Sequence, residues 1–276
     1  MTSTRPDETL EALAGLRQLF LASGIYAPHV VVDDHTPADQ PSMHMEGLSG
    51  NDAARLSELL RAVLDLPIAD ARPTEQSSSW YMPYEETVAV RDDLHQVLAV
   101  AGISGLTHVE THPRGGPPFM HLNHLAVSDI ARLSSLLSEA LREHFATADA
   151  LLAAFRAHNL DADRTLPVPA VGDLSLFLGD VSVHTALALG TLLGAPPLFT
   201  KLADFPDYPE SIAVMDRLHE AVKNTAFGFM DVQLHPNCMK CGHAPSITLG
   251  ALELGTAQRL VAALQSARVT AQRDAT

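Results

Sequence analysis

Four stretches of this chain can be laid on one another without a gap. They are PSMHMEGLSGNDAARLSELL (41–60), PFMHLNHLAVSDIARLSSLL (118–137), LSLFLGDVSVHTALALGTLL (174–193) and PSITLGALELGTAQRLVAAL (245–264). The first two share eleven identities, and the first and fourth share seven. The third matches mainly in its apolar pattern. Self-similarity at this level points to copies of one supersecondary unit, so the pattern of that unit limits what the whole chain can become.

Each window reads as strand, turn and helix. In the second, Met120 and Leu122 alternate with His121 and Asn123, the period-2 pattern of a strand with one buried face. Ser128 is expected as the N-cap, with Asp129 in the first turn. Ile130, Leu133, Leu136, Leu137 and Leu141 then recur at helical spacing. The first window repeats this with Asn51 as the expected cap and Leu56, Leu59, Leu60 and Val63 as the stripe. Upstream of each window, a helix ending near Gly or Asn precedes a short strand, although this flank is degraded in the third. The repeating unit is therefore helix, strand, loop, strand, helix, about fifty residues long. The four copies occupy roughly 8–64, 91–145, 147–194 and 210–268.

A short loop between two strands implies an antiparallel hairpin. Two hairpins make a four-stranded sheet, large enough to be stable once helices cover one face. The expected class is α+β, built of helix–β-hairpin–helix pseudo-repeats with helices on one face of antiparallel sheets. Two lobes are expected, 1–146 with a Pro- and Ser-rich linker at 65–87, and 147–276; one pseudo-symmetric fold is the alternative. The windows start 77, 56 and 71 residues apart. That uneven spacing fits duplication and divergence better than a regular solenoid.

Composition narrows function more than fold. Acidic residues number 33 and basic ones 18, a formal charge of −15, which disfavours binding to bare nucleic acid or to an anionic membrane surface. No apolar run approaches the ~18 residues of a membrane-spanning helix, and residues 1–9 do not read as a signal peptide. Two Cys cannot make a disulfide framework. The expected compartment is the cytoplasm. Phosphate-binding GxxxxGK[ST] and GxGxxG loops and a GxSxG elbow are absent from the sequence.

The chain holds 14 His, and two groups of them stand out. The first is His235-Pro-Asn-Cys238-Met-Lys-Cys241-Gly-His243, in the hairpin loop of the fourth repeat. Zinc favours thiolate and imidazole ligands in a tetrahedron. The Cys-x-x-Cys-Gly turn resembles one knuckle of a zinc ribbon, and His235 and His243 complete a Cys2His2 set for a structural Zn2+. A redox dithiol and two reduced surface thiols are the competing readings.

The second group is Thr107-His108-Val109-Glu110-Thr111-His112. Alternate strand residues share a face, so His108, Glu110 and His112 project together, with His121 across the hairpin. Two imidazoles and a carboxylate can hold a catalytic divalent metal. The first repeat has a parallel set in Asp33, His35, His44 and Glu46. The competing reading is a solvated face of a one-sided sheet. Two such faces meeting across a pseudo-twofold would be similar in logic to the paired modules of the vicinal-oxygen-chelate metalloenzymes. Their module has a different order of strand and helix, and no residue carries over.

Arg55, Arg132 and Arg259 share one window position and are expected on helix surfaces, paired with carboxylates, with a shared ligand contact as the competing reading. Trp80, Tyr81 and Tyr84 are expected as a plug or lid in the linker. His144, His158 and His219 are expected as single surface residues. The leading functional expectation is a cytoplasmic zinc-binding repeat protein acting as an interaction or regulatory module. Its partner, protein or small molecule, is unspecified, and a homodimer is compatible with the charge. The alternative is a small metalloenzyme using the His/carboxylate strands.

Overall fold

Apolar side chains arranged for two different periods build this molecule. In a computed structural model, residues 6–26, 29–32, 42–67, 82–110, 116–160, 170–198, 202–203, 206–226, 228, 230–236 and 244–274 are described. The chain divides into two compact lobes, Met1–Arg142 and Glu143–Thr276. Each has its own buried cluster of apolar side chains.

The N-terminal lobe runs α1 (Pro6–Ala22), β1 (His29–Val32), β2 (Ser42–Ser49), α2 (Gly50–Val63), α3 (Tyr84–Val100), β3 (Leu106–Glu110), β4 (Phe119–Ala126) and α4 (Val127–Ala140). The C-terminal lobe runs α5 (Arg142–Ala157), β5 (Ala170–Gly172), β6 (Ser175–Ser182), α6 (Val183–Leu192), α7 (Tyr208–Ala226), β7 (Val232–His235), β8 (Ser246–Glu253) and α8 (Leu254–Asp274). The fold is α+β, with eight helices and two antiparallel four-stranded sheets among the described residues. The sheet orders are β1-β2-β4-β3 and β5-β6-β8-β7, so the two long strands are central in each.

The long strands share one burial pattern. Their fully covered residues are Met43, Met45 and Leu48; Met120, Leu122 and Leu125; Leu176, Leu178 and Val181; and Ile247, Leu249 and Leu252. The first pair in each set is two positions apart and the second pair three. A strand that alternates strictly would turn the third side chain outward. The three-residue step restores it to the core by spending one residue in a left-handed conformation at Gly47 (φ 79°), His124 (φ 59°) and Gly179 (φ 71°). In β8 no left-handed residue is needed. There Gly250 lies against Asp231, and its N–H donates to the Asp231 carbonyl at 2.7 Å. Each buried Leu or Met gains roughly 1.5–3 kcal/mol over exposure, so the step is favourable despite its backbone cost.

Helix boundaries differ from expectation. α2 starts at Gly50, two residues earlier than a cap at Asn51 implies, because Ser49 caps it: its Oγ accepts the Asp52 N–H at 3.1 Å. α4 starts at Val127, so Ser128 lies inside the helix. Its cap position holds Ala126, and the Asp129 carboxylate accepts the Ala126 N–H at 3.0 Å instead. α3 reaches back into the expected linker, placing Tyr84 at its first turn with half its surface exposed, so Tyr84 does not plug a core. Trp80 and Tyr81 lie outside the described residues.

The ends of α1, α3, α5 and α6 close alike. After α1, Gly24 (φ 68°) donates to Leu21 O and Ile25 to Phe20 O. After α3, Gly102 and Ile103 do the same with Ala99 and Leu98. Asn159 and Leu160 follow suit after α5, and Gly194 and Ala195 after α6. This left-handed closure satisfies carbonyls that a helix end leaves unpaired.

The three matched arginines reach the ends of α1, α3 and α7. Arg55 Nη1 donates to Gly24 O (3.2 Å), Arg132 Nε to Ala101 O (3.4 Å), and Arg259 Nε to Ala226 O. At these carbonyls they act as cations against the negative end of a preceding helix.

Candidate functional site

The helices cover one face of each sheet, and the imidazoles lie on the other. In the N-terminal lobe, His29 on β1 stands opposite Glu46 on β2, and Val31 opposite His44. On the far side, His108 on β3 stands opposite His121 on β4, and Glu110 opposite Phe119. In the centre, β2 and β4 pair Met43 with Leu125, Met45 with Leu122 and Leu48 with Met120. One extra residue on β4 between the first two pairs is offset by one extra residue on β2 between the next two. These offsets set Glu46 and Gly47 across from His121. His29, Glu46, His121 and His108 thus form a row over all four strands.

Side-chain contacts on this face are local. His44 Nε2 lies 3.2 Å from Glu46 Oε1, two residues along the same strand. His121 Nε2 lies 3.2 Å from Glu110 Oε2, diagonally across the hairpin. The His108 and His121 rings are 6.4 Å apart, tilted by 37°. His121 is the better covered of its pair, with 18% of its side chain exposed against 68% for Glu110. The structure therefore brings His108, Glu110 and His121 to one face; His112, like Asp33 and His35, lies outside the described residues. Among the described residues, no group of three or more His, Cys, Asp or Glu is placed to hold a metal ion.

The corresponding face of the C-terminal lobe has different chemistry. Where His44 and His121 stand, it carries Phe177, exposed at 43%, and Thr248. A polar chain crosses three strands. His235 Nε2 lies 2.7 Å from Thr248 Oγ1, and Thr248 Oγ1 donates to Asp180 Oδ1. The register places Thr248 opposite both Gln233 on β7 and Asp180 on β6. Of the proposed zinc ligands, His235 ends β7; Cys238, Cys241 and His243 lie outside the described residues. Asp180 is absent from the sequence-based expectations because its partner is 68 residues away. Only the β6–β8 register reveals it.

His144 and His158, expected on the surface, are tied to backbone. Each offers Nε2 to a carbonyl, Leu174 at 3.2 Å and Leu264 at 2.8 Å respectively. A recess of about 370 Å³ lies between α5 and α8, lined by Glu143, Ala146, Thr147, Ala150, Gln258 and Val261. Another of about 300 Å³ lies between the end of α6 and α7. Both are lined by helix and helix-end residues, away from the sheet chemistry. No described helix is long and apolar enough to cross a membrane.

No family model matches this chain, and neither does any curated protein or solved structure.

Proposed function

We propose that this chain is a cytoplasmic zinc-binding repeat protein that acts as an interaction or regulatory module. The observation that carries the reading is the outer face of the N-terminal sheet. Its imidazoles pair off locally with carboxylates, His44 with Glu46 and His121 with Glu110. A face arranged this way offers exposed polar groups to a partner surface. The zinc part rests on ligand chemistry: two thiolates and two imidazoles within nine residues, at spacing zinc accepts. A metal there would stiffen the loop between β7 and β8.

The finer architecture belongs to this proposal. Four helix–hairpin–helix repeats, two in each lobe with bounds of 1–146 and 147–276, explain several features together. These are the shared two-then-three burial step, the recurring left-handed helix closures, and the arginines on preceding helix ends. The net charge of −15 points away from nucleic acid and membrane partners and leaves a protein, a small molecule or a second copy.

One observation favours a second reading, a small metalloenzyme. His108 and His121 oppose each other, and Glu110 bonds His121, which are two imidazoles and a carboxylate on one face. A divalent metal there would serve as a Lewis acid or activate a bound water or dioxygen.

Elemental analysis of chelator-washed, zinc-reloaded protein separates the readings. About one zinc per chain, lost in Cys238→Ser/Cys241→Ser and kept in His108→Ala/His112→Ala, is expected. Loss in the His variant alone would replace the module with the metalloenzyme. No metal in any sample would overturn both.

A further inference from the structure

The buried residues of matched helices recur at the same intervals in the two lobes. Ser57 and Leu60 of α2 correspond to Gly190 and Leu193 at the end of α6, and Val90, Leu94 and Val97 of α3 to Val214, Leu218 and Ala221 of α7. Counting on from these, Gly194 stands where the N-terminal lobe has Arg61, and Arg217 where it has Asp93. In that lobe Arg61 pairs with Asp93 and donates through Nη1 to the Pro67 carbonyl at 2.6 Å, so its side chain occupies the junction. In the C-terminal lobe the arginine comes from the other helix. Arg217 Nη2 again donates to a proline carbonyl, that of Pro197 at 3.5 Å, but it has no carboxylate partner among the described residues. Gly194 cannot supply one, and a Cβ there would meet nothing within 4 Å. The recess of about 300 Å³ between α6 and α7 lies at this junction, lined by both Gly194 and Arg217.

The geometry points to a small-molecule site in this recess that takes a free α-amino acid with an apolar side chain, its carboxylate on Arg217 and its ammonium beside Asp216 and Glu220. The ligand's carboxylate stands in for the Asp93 of the sister lobe. An arginine fork with open donors suits a carboxylate or a phosphate, and the rest of the lining chooses between them. Asp216 and Glu220 are one turn apart on α7 and share a face. The Asp216 carboxylate has no partner among the described residues, and Glu220 has Lys223 at 3.8 Å, with those two side chains 60% and 63% exposed. Two carboxylates against one guanidinium repel a dianionic phosphate and favour a ligand that brings a positive charge of its own. α6 also ends here, and its Leu192 carbonyl lacks the usual helical donor because residue 196 is proline. The negative end of a helix favours a cation. Leu193, Pro196 and Ala221 add an apolar wall, and the volume is at the lower bound of ligand clefts. This site is separate from the zinc reading and does not depend on it.

Calorimetric titration of the full-length protein tests this, with leucine, valine, methionine and phenylalanine as probes. At least one is expected to bind. Its two half-analogues, the amide without the carboxylate and the deaminated acid without the ammonium, should each bind at least about 10-fold more weakly, the cost of losing a hydrogen-bonded charge. Arg217→Gln, and Asp216→Asn combined with Glu220→Gln, should each weaken the amino acid by a similar factor. Asp216 and Glu220 are exposed and Arg217 is half-buried, so thermal unfolding of the ligand-free variants should match the parent. The acid variant reads the same recess even if Arg217→Gln folds poorly. A half-analogue that binds as tightly as its amino acid overturns the zwitterion reading. Affinity unchanged in both variants places the amino acid outside this recess and overturns the site. Neither heat nor a thermal shift from any probe up to about 10 mM overturns it as well, since a millimolar site would report there.

Discussion

The two lobes run the same order of helices and strands through sheets of the same order, yet they solve the same junction by opposite means. In the N-terminal lobe α2 meets α3 through a polar clamp. Arg61 pairs with Asp93 through Nη2 and approaches it again through Nε at 3.4 Å, while Ser57 donates to the second carboxylate oxygen. Arg61 Nη1 also reaches Pro67 O at 2.6 Å. Both charged side chains are nearly covered, at 14% and 13% exposure. In the C-terminal lobe α6 meets α7 by close approach instead. A Cβ at Gly190 would lie only 3.6 Å from the Leu218 Cα, and Thr225 donates to Leu193 O at 3.0 Å. The difference teaches that this architecture fixes where helices touch and leaves the chemistry of the touch free. The outer sheet faces say the same: imidazole and carboxylate on one, Phe177 and the Asp180–Thr248–His235 chain on the other.

The largest test of the comparison removes one core at a time. Phe20 and Phe155 are 2% and 0% exposed, one in each lobe. Phe20→Ala and Phe155→Ala should each cost about 3–5 kcal/mol. Calorimetry should show each lowering the stability of its own lobe; a single shared transition lowered equally by both would show that the lobes do not unfold separately. Next comes the clamp. Asp93→Ala strands a mostly covered guanidinium and should cost about 2–4 kcal/mol in denaturant unfolding. Replacing both partners, Arg61→Met with Asp93→Leu, should recover most of that loss. A double variant no better than the single would mean that the pair itself, not its orphaned half, supplies the stability.

A smaller test exchanges matched positions. Gly250 corresponds to Glu46 and Asn123 in the N-terminal windows, but a Cβ at Gly250 would come within 2.2 Å of the Asp231 carbonyl. Gly250→Asn should destabilise by about 1–3 kcal/mol, whereas the same side chain is native at Asn123. The smallest expected effect is a gain. His124 holds φ 59° where its counterpart Gly47 holds 79°. His124→Gly should stabilise by up to about 1 kcal/mol, because only glycine adopts that region without a Cβ penalty. A loss on chemical unfolding would mean that the His124 side chain contributes more than its backbone costs.

Much of the architecture was legible because core positions obey spacing rules. Met120 and Leu122 announce a one-sided strand, and Ile130, Leu133 and Leu137 a one-sided helix, so the α+β class and the four-stranded sheets follow. The polar side of the strand was equally readable: His108, Glu110 and His121 do share a face. Sequence spacing alone could not supply the three-residue step, since His124 carries no mark of a left-handed residue as Gly47 does. Caps were misplaced for a related reason. Several polar residues cluster at each helix start, and only geometry tells Ser49 from Asn51. The contact of the three arginines with helix-end carbonyls was not legible, because a helix end some thirty residues upstream in sequence has no side-chain signature. Asp180 was missed because its meaning depends on a register between distant strands.

The paired offsets between β2 and β4 have a genetic corollary. Each strand carries one residue more than its partner needs, and the two surpluses run in opposite senses. An in-frame deletion of the Gly47 codon would leave Leu48 two positions after Met45, still inward by alternation, but β2 would then run one residue short against the surplus kept on β4, a one-residue slip between the strands. Deleting the His124 codon as well would cancel the slip and leave a regular ladder with Leu48 and Leu125 both inward. Codon loss at one site should therefore be harmful, and its suppressor should map to a second site seventy-seven codons away.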